Sequence, residues 1–282
     1  MNYQHAFHAG GVSDVFKHWI LVLLLEKLSQ KPTPFGVLDT HAGAGFYDLS
    51  TERSQKTQEY QEGIARLIHL KEVPPAFASY LALIKQCQGL PDKLQHYPGS
   101  PYIIKHYLRE HDSLIACDSH PETYRWLQRN LDAKYDKRVA LHEQDAYLAM
   151  KAFLPLKEKR GLVLIDPPFE KEREFQQISE ALKTALHRFQ QGTYAIWYPI
   201  KHRPPVRAFH EVLQSFVPHQ FLIVELLRRN DNDAKTLNGC GMVIINPPWE
   251  LQETLASTLP WLVKYFAIDD NARTELRLTR RD

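Results

Sequence analysis

The chain contains 282 residues, of which 44% are hydrophobic and 24% are charged, and its formal net charge is +2. This composition is that of an ordinary globular protein, with either one large domain or one domain that carries an insertion, and no low-complexity tract interrupts it. The mild charge does not demand a nucleic acid partner, although 35 basic residues and 14 histidines could form a local positive face.

The cysteines and the start of the chain bear on location. Cys87, Cys117 and Cys240 are odd in number and lack metal-ligand spacing, which favours a reducing cytoplasm over a disulfide framework. The first residues lack the basic and apolar segments of a secretion signal. The longest apolar run, Trp19 to Leu25, is too short to cross a bilayer. We therefore expect a cytoplasmic protein without a membrane association.

The N-terminal region is predicted to be an irregular tail followed by a helix. Residues 1–12 contain Tyr3, His5, His8 and the pair Gly10-Gly11. Apolar residues at helical spacing then predict a helix over residues 13–29, with Ser13 as its N-cap. Lys17 and His18 lie one turn into this helix.

A short strand over residues 35–39 leads into a loop of small residues, Thr40-His41-Ala42-Gly43-Ala44-Gly45. In α/β proteins, a loop of this kind lets a cofactor approach the backbone. The spacing of Asp39, Gly43 and Gly45 is similar to the loop that holds S-adenosyl-L-methionine. The alternative is a tight turn that needs positive φ at the glycines.

The second acid expected of such a fold comes late, at Asp118, which ends a strand over residues 113–118. The intervening sequence has a helical pattern, so residues 50–95 are predicted to form an inserted helical subdomain. Ser100 precedes Pro101, and this pair is typical of a helix start with Ser100 as the N-cap. A contact of Ser100 with a cofactor would be secondary to that cap.

The second half of the chain alternates strands with helices. A strand over residues 139–142 ends near Asp145 and Ala146, where the acid could bind the adenine amine of a cofactor or cap the next helix. Further strands are predicted at residues 161–165, 193–199, 221–226 and 241–246, and the polar, glycine-containing loop between the last two would let them pair antiparallel. The pattern predicts an α/β fold with a mostly parallel sheet covered on both faces. It resembles the seven-stranded, Rossmann-like class I S-adenosylmethionine-dependent methyltransferase fold.

The turn after residues 161–165 carries the chemistry. Asp166, Pro167, Pro168 and Phe169 form a stiff corner, because proline restricts its own φ and the residue before it. The Asp166 carboxylate and the Pro167 carbonyl could accept the two hydrogens of an adenine amine, while Phe169 stacks on the base. A base inside a duplex cannot reach such a corner unless it is flipped out. The alternative is an ordinary turn.

Two other sets of residues have the composition of a functional site. Asn246-Pro247-Pro248-Trp249 also fits the amine-binding tetrapeptide, but it follows the last predicted strand, so we favour Asp166 as the catalytic residue. His5, His8, His18, Asp14 and His41 could be drawn as a metal site, but their spacing is not that of a metal-binding helix. We expect no metal.

Taken together, these motifs resemble the ribosomal RNA large subunit methyltransferase J family over nearly the whole chain. The matching segments are 5–10 with Asp14, Lys17 and His18, then 38–45, 97–101, 165–169, 197–199 and 245–249. The resemblance implies methylation of the N6 amine of one adenine in 23S rRNA, with Asp166 as the catalytic acid. The family more often has Glu where this chain has Asp118, and Tyr where it has Phe169.

The resemblance also implies a division of the chain and a set of ligand contacts. Residues 1–12 would form a tail over the active site, residues 13–49 and 96–282 the methyltransferase domain, and residues 50–95 the inserted subdomain. S-adenosyl-L-methionine would be bound by His18, His41, Ser100, Asp118, Asp145 and Ala146, and the substrate by Tyr3, His5, Lys17 and Phe169. We expect a monomer that needs no obligatory protein partner. The alternatives are a DNA adenine or protein glutamine methyltransferase, a non-catalytic RNA-binding assembly factor, and a metal hydrolase.

Overall fold

The computed structural model describes residues 5–89, 93–170 and 173–279, and its centre is a β-sheet of eight strands in the order β10-β8-β9-β7-β6-β1-β4-β5. A second, two-stranded sheet pairs β2 with β3. The strands are β1 (Gly36–Asp39), β2 (Phe46–Asp48), β3 (His96–Pro98), β4 (Ser113–Asp118), β5 (Val139–Glu143), β6 (Gly161–Ile165), β7 (Thr193–Ile200), β8 (Phe221–Leu227), β9 (Gly239–Ile245) and β10 (Arg273–Thr279).

Strands β1, β4, β5, β6 and β7 run parallel, and β9 is antiparallel to both β7 and β8. The carboxyl ends of the parallel strands therefore lie at one edge of the sheet, which we call the carboxyl edge. Asp39 and Asp118 end β1 and β4 at this edge, and Asp166 follows β6 there. Ligands of open α/β sheets bind outside such ends. The predicted antiparallel pairing of residues 221–226 with 241–246 is confirmed.

Helices cover both faces of the sheet. They are α1 (Val12–Ser29), α2 (Glu52–Thr57), α3 (Glu59–Glu62), α4 (Pro75–Gln86), α5 (Ser100–Tyr107), α6 (Pro121–Leu131), α7 (Ala146–Phe153), α8 (Glu174–Arg188), α9 (Arg203–Phe216) and α10 (Leu251–Phe266). One hydrophobic cluster joins α1, α4, α5, α6 and α10 to the sheet, and a second joins α7, α8 and α9 to the other face. Strands β6, β8 and β9 are buried along their whole length, which explains their continuous apolar runs.

Two predictions about this framework are wrong. The seven predicted strands are joined by an eighth, β10, which pairs antiparallel with β8 at the edge of the sheet. Ser13 does not cap the first helix, because Gly10 turns the chain with φ +76° and Gly11 becomes the N-cap. The carbonyl of Gly11 already accepts a hydrogen bond from Val15, so Ser13 lies inside α1.

The segment over residues 50–95 is helical, as expected, and it packs on the first helix. The Trp19 indole on α1 stacks on Phe77 of α4 and donates a hydrogen bond to the Ala76 carbonyl at 2.8 Å. The buried side chains of residues 50–95 belong to the same hydrophobic cluster as those of α1. That it forms a distinct subdomain stays a prediction.

The inserted segment also holds the N-terminal residues that the structure describes. The Ile64 amide donates to the Gly10 carbonyl at 2.9 Å, and the Thr57 hydroxyl donates to the Phe7 carbonyl. The His8 ring lies 2.7 Å from the Glu59 carboxylate. Residues 1–4, including Tyr3, lie outside the described residues. Within the described ranges, we find no helix with the length and apolar character that a membrane span requires.

Candidate active site

A cavity opens at the carboxyl edge, between the ends of β1, β4 and β6. It is lined by residues from the N-terminal segment, α1, the loop after β1, the start of α5, the loops after β4 and β5, and the turn after β6. Of the predicted site residues, those lining it are His5, Lys17, His18, His41, Ser100, Asp118, Asp145, Ala146 and Asp166. The structure thus brings together residues that are far apart in the sequence.

The loop after β1 is shaped to let a ligand approach its backbone. Gly43 has φ +63°, and its amide donates to Oδ2 of Asp118 at 3.1 Å. A Cβ atom at this position would lie 2.5 Å from the Tyr47 hydroxyl oxygen. Residue 43 must therefore be glycine for both conformational and steric reasons. Tyr47 was not among the predicted site residues, although it lies only two residues beyond the glycine motif.

Ser100 holds Asp39 rather than capping its helix. The Ser100 hydroxyl donates to Oδ2 of Asp39 at 2.7 Å, and Gly99 is the N-cap of α5. The cap predicted for Ser100 is therefore wrong, because its hydroxyl is hydrogen-bonded to the buried Asp39 carboxylate and Gly99 takes the N-cap position. Burial raises the pKa of Asp39 to about 7, although the hydrogen bond from Ser100 opposes the rise. Oδ1 of Asp39 is buried and accepts no hydrogen bond from the described part of the chain.

His18 presents a second buried polar atom for which the described part of the chain supplies no hydrogen bond. Its Nδ1 lies 2.8 Å from the Tyr97 hydroxyl, and its Nε2 forms no hydrogen bond within the described residues. Burial lowers the pKa of His18 well below its usual value, and the nearby Lys17 charge adds to this effect. The ring is therefore neutral at pH 7, and its free nitrogen can contact a ligand in the cavity.

The acids after β4 and β5 differ in their surroundings. Asp118 accepts hydrogen bonds from the Gly43 amide and from the His120 amide at 2.9 Å, while burial raises its pKa. Asp145 is exposed and caps α7 by accepting from the amides of Tyr147 and Leu148, at 3.0 and 3.1 Å. The capping role is thus observed, and a contact of Asp145 with a cofactor stays a prediction.

Tyr147 and Glu174 form a pair in the cavity wall that sequence reasoning missed. The Tyr147 hydroxyl donates to Oε1 of the buried Glu174 at 2.5 Å. The His41 ring meets the Tyr147 ring edge-on, and its Nδ1 lies 2.8 Å from the Thr40 hydroxyl. No spacing rule links residues 147 and 174, so the sequence alone could not indicate this contact.

Asp166 stands at the end of a chain of charged groups that crosses from the N-terminal segment to the turn after β6. Its Oδ2 contacts Nζ of Lys17, and Nζ also lies 3.0 Å from Oδ1 of Asp14. Oδ2 of Asp14 lies 2.9 Å from the His5 ring and accepts from the Gly10 amide at 3.0 Å. Asp14 was not among the predicted catalytic or binding residues, but it connects His5 and Lys17.

Asp14 is ionised in this setting. Burial alone would raise the pKa of Asp14, but the neighbouring His5 ring and the charge of Lys17 hold that pKa well below its usual value. The carboxylate therefore holds the His5 ring and the Lys17 ammonium group beside the cavity. Its position one helical turn before Lys17 is the signal from which this pairing could have been predicted.

Phe169 lies beside the cavity but not in its wall. The residue has φ +49°, and its ring packs edge-on against Phe175 and Trp197, with ring centroids 4.9 and 5.9 Å away. The neighbouring residues Pro168 and Glu170 line the cavity instead. Stacking of Phe169 on a base stays a prediction, and in this structure the ring faces an aromatic cluster.

The second tetrapeptide is a structural turn at the opposite edge of the sheet. Asn246 has φ +54°, and its side-chain amide donates to the carbonyls of Gln190 and Gly192, both at 2.8 Å. Its own carbonyl accepts from the Thr193 hydroxyl at 3.0 Å. Since β9 is antiparallel to β7, Asn246 lies away from the cavity. Among the described residues, His, Cys, Asp and Glu form no group that could hold a metal ion.

Comparison with known proteins shows which family this chain belongs to. A model of the family described as "Ribosomal RNA large subunit methyltransferase D, RlmJ" matches residues 32–277. The chain belongs to this RlmJ family. It is 40% identical over 264 residues to ribosomal RNA large subunit methyltransferase J of Haemophilus influenzae, covering 94% of this chain and 93% of that protein. It is 38% identical to the Escherichia coli protein of the same name over 262 residues, covering 93% and 92%.

A solved structure shows the same fold. A Legionella pneumophila protein with a crystal structure is 33% identical in sequence to this RlmJ-family chain. The two structures match with a TM-score of 0.87 over 97% of this chain and 98% of the other. The predicted family and the predicted class I methyltransferase fold are both confirmed. The methyl donor of this fold is S-adenosyl-L-methionine.

The residues present fit that cofactor in this RlmJ-family chain. The free Nε2 of His18 and Oδ1 of Asp39 are buried polar atoms that need a partner. Gly43 leaves room for a ligand against the backbone, and Asp118 ends β4 where class I folds hold a ribose. Gly43 and Asp166 line the same cavity.

Proposed function

We propose that this chain methylates the N6 amine of one adenine in 23S rRNA. The observation that carries the proposal is the position of Asp166, which lines the same cavity as the glycine loop and follows the neighbouring strand β6. The names of the Haemophilus and Escherichia relatives support a ribosomal RNA substrate. We infer further that the protein acts in the cytoplasm, where ribosomal RNA is found, as a monomer without an obligatory protein partner.

Asp166 has the chemistry that an adenine amine requires. The lone pair of that nitrogen is delocalised into the ring, so it is a poor nucleophile until acceptors bind its hydrogens. Lys17 contacts Oδ2 of Asp166, so Oδ1 can accept an amine hydrogen without displacing Lys17. The carboxylate can also take the proton that transfer releases. The carbonyl of Pro167 is the second expected acceptor.

The remaining wall residues hold and orient the two ligands. His18, Asp39 with Ser100, the loop at Gly43, Asp118, and Asp145 with Ala146 would bind S-adenosyl-L-methionine, which supplies an electrophilic methyl group when bound. His5, Lys17 and Tyr3 would contact the substrate from the N-terminal side. Because the cavity is a recess in the protein, the target adenine must be unpaired or flipped to enter it.

An acceptor assay tests the proposal. Purified protein and labelled S-adenosyl-L-methionine are incubated with 23S rRNA from a strain that lacks the gene, and the modified nucleotide is identified by mass spectrometry. We expect one newly labelled N6-methyladenine in that RNA, and no incorporation of label into 23S rRNA from the parent strain, where the position is already modified.

Matched reactions with duplex DNA, single-stranded DNA and ribosomal protein decide between the rivals. Transfer to DNA or to a glutamine amide in preference to rRNA would replace the proposal with the corresponding methyltransferase. Tight rRNA binding without transfer to any acceptor would indicate an assembly factor.

A further inference from the structure

A second recess, lined by four arginines, lies between α9 and the edge strand β10. Arg203 and Arg207 belong to the first two turns of α9, four residues apart, so they project on one side of the helix. Arg273 and Arg277 are four residues apart on β10, so their side chains lie on the same face of that strand. All four line a recess of about 910 Å³ together with residues of β8 and of the loop after it. We call it the arginine groove.

The acidic residues of the arginine groove form salt bridges with Arg203 and Arg273, which we call the inner pair. Arg203 donates to Glu225, to Asp231 at 2.5 Å and to Glu275 at 2.6 Å. Arg273 reaches the same Asp231 at 3.2 Å. Glu225 is buried and also accepts from the Tyr198 hydroxyl at 2.8 Å. This network fixes the groove's walls, because each carboxylate is held by a guanidinium group from another element.

The outer pair, Arg207 and Arg277, is different. Both side chains are exposed, and within the described ranges neither forms a salt bridge. Two guanidinium groups on opposite walls of a recess suit an extended anion better than a small one. A guanidinium group binds phosphate through two parallel hydrogen bonds, and it is weakly hydrated, so it releases water readily.

The arginine groove opens at the carboxyl edge of the sheet, as does the cavity that Asp166 lines. Arg203 follows β7 and Asp231 follows β8, and both strands run parallel to β6, so these residues stand at the carboxyl edge. The sheet order places β8 three strands from β6. At a spacing of about 4.8 Å per strand, this puts the mouth of the groove about 14 Å from the turn of Asp166. RNA that delivers one nucleotide to the cavity extends well beyond that distance.

We propose that the arginine groove binds the sugar–phosphate backbone of the RNA substrate, at nucleotides that flank the one in the cavity. The inference rests on the proposed function, because it assumes that RNA is the substrate. Arg207 and Arg277 contact phosphate oxygens, and the network around Arg203 holds them at a fixed separation. Such contacts position the RNA and carry no sequence information.

The test uses the exposed pair, since neither residue supports the fold through a salt bridge to described residues. Arg207→Gln/Arg277→Gln is compared with Lys137→Gln/Lys157→Gln. The control removes two exposed positive charges that precede β5 and β6, at the opposite edge of the sheet. Methyl transfer to a long RNA fragment around the modified adenine and to a short oligonucleotide is measured at several salt concentrations, with a melting curve for each variant.

For the arginine variant we expect kcat/KM on the long RNA to fall about tenfold, and the slope of log kcat/KM against log salt to become shallower by about 1 to 2. The loss on the short oligonucleotide should be smaller, because that substrate does not reach the groove. The lysine variant should retain the wild-type slope. These results together would support the groove.

The inference is overturned if the arginine variant keeps the wild-type slope and the wild-type kcat/KM on long RNA, or if the lysine variant loses as much. Failure of the proposed function would look different, because the wild-type protein itself would then transfer no methyl group to either RNA. An arginine variant that melts well below the wild type would show that the groove is a structural network, which also overturns the inference.

Discussion

Nζ of Lys17 contacts Oδ2 of Asp166, although the two residues are 149 positions apart in the chain. Lys17 comes from the second turn of α1, and Asp166 from the turn after β6. Only 5% of the Lys17 side chain and 13% of the Asp166 side chain are exposed, so the pair is largely shielded from water. One oxygen of the proposed catalytic carboxylate is therefore held in place before any substrate arrives, which is the preorganisation that catalysis of this kind needs.

Replacing the proposed catalytic carboxylate should abolish transfer without disturbing the fold. Asp166→Asn keeps the size of the side chain and removes its charge, so the amine loses its charged acceptor and the acceptor of the released proton. We expect kcat to fall by a factor of about 10² to 10³. The dissociation constant for S-adenosyl-L-methionine, measured by calorimetry, should change less than about threefold, by the same reasoning. Wild-type rates in this variant would refute the role of Asp166.

Asn246→Ala is the matched control for that variant, because Asn246 heads the similar tetrapeptide at the other edge of the sheet. Alanine removes the two hydrogen bonds to Gln190 and Gly192 and must adopt a φ of +54°, which it disfavours. We expect the free energy of unfolding to fall by about 1–3 kcal/mol, while kcat per folded molecule is retained. A loss of kcat comparable with that of Asp166→Asn would mean that the two corners were assigned wrongly.

Asp14→Asn should release the charged groups beside the cavity. The variant leaves His5 and Lys17 without a shared buried carboxylate, so we expect a loss of about 3 kcal/mol in the free energy of unfolding at pH 7. The pKa of Asp14 is lowered in the folded state, so its contribution is complete above the unfolded value and is lost as pH falls below about 4.

Urea unfolding between pH 7 and pH 3.5 checks this expectation for Asp14. The difference between wild type and variant should be constant near neutrality and shrink in acid. Asp132→Asn, at an exposed left-handed position where Asn is tolerated, should match the wild type in the neutral range. A difference that is unchanged at pH 3.5 would count against an ionised Asp14.

Asp39→Asn should show the opposite pH dependence. Burial raises the pKa of Asp39 to about 7, so its protonated form is favoured by folding, and that contribution is present in acid and lost as pH rises. The asparagine variant does not ionise, so it should gain stability relative to the wild type between about pH 4 and pH 7, by an amount on the order of 2–4 kcal/mol. Melting temperatures of both proteins across this range provide the measurement. A constant difference would contradict the shifted pKa.

Gly43→Ala should impair the cofactor loop. The new Cβ would lie 2.5 Å from the Tyr47 hydroxyl, and φ at this residue is +63°. We expect a loss of about 1–3 kcal/mol in the free energy of unfolding and weaker binding of S-adenosyl-L-methionine. Gly89→Ala is the control, because the nearest atom that its Cβ would meet within the described residues is Oε1 of Gln95, at 3.9 Å, so it should be neutral within about 1 kcal/mol. Equal effects of the two substitutions would remove the special role of Gly43.

The convergence of the site could be predicted from the sequence because topology determines it. Asp39, Asp118 and Asp166 each end or follow a parallel strand, and the carboxyl ends of such strands meet at one edge. The contacts between side chains could not be predicted in the same way. No spacing rule indicates that Lys17 meets Asp166, or that the Ser100 hydroxyl bonds Asp39 instead of capping a helix, because tertiary contacts decide both.

The fold was predictable where apolar periodicity was strong. Strand β10 was missed because its alternating leucines are interrupted by charged residues, as befits an edge strand with one polar face. The helical pattern over residues 52–70 breaks into short pieces because Gln58 adopts φ +51° and Gly63 leaves helical geometry. Neither interruption involves proline; Gly63 is the one residue there that sequence rules would mark as a helix breaker.

Strands β2 and β3 pair antiparallel, with Asp48 opposite His96, so the chain departs from the methyltransferase sheet and rejoins it at adjacent points. Insertions or deletions between these two points could alter the reach of the helical segment without displacing Gly45 or Ser100. Its size is thus free to follow the contours of an RNA partner while the methyl-donor pocket stays the same. The hydrogen bonds of Thr57, Glu59 and Ile64 limit that freedom, since they anchor the N-terminal residues leading to Lys17.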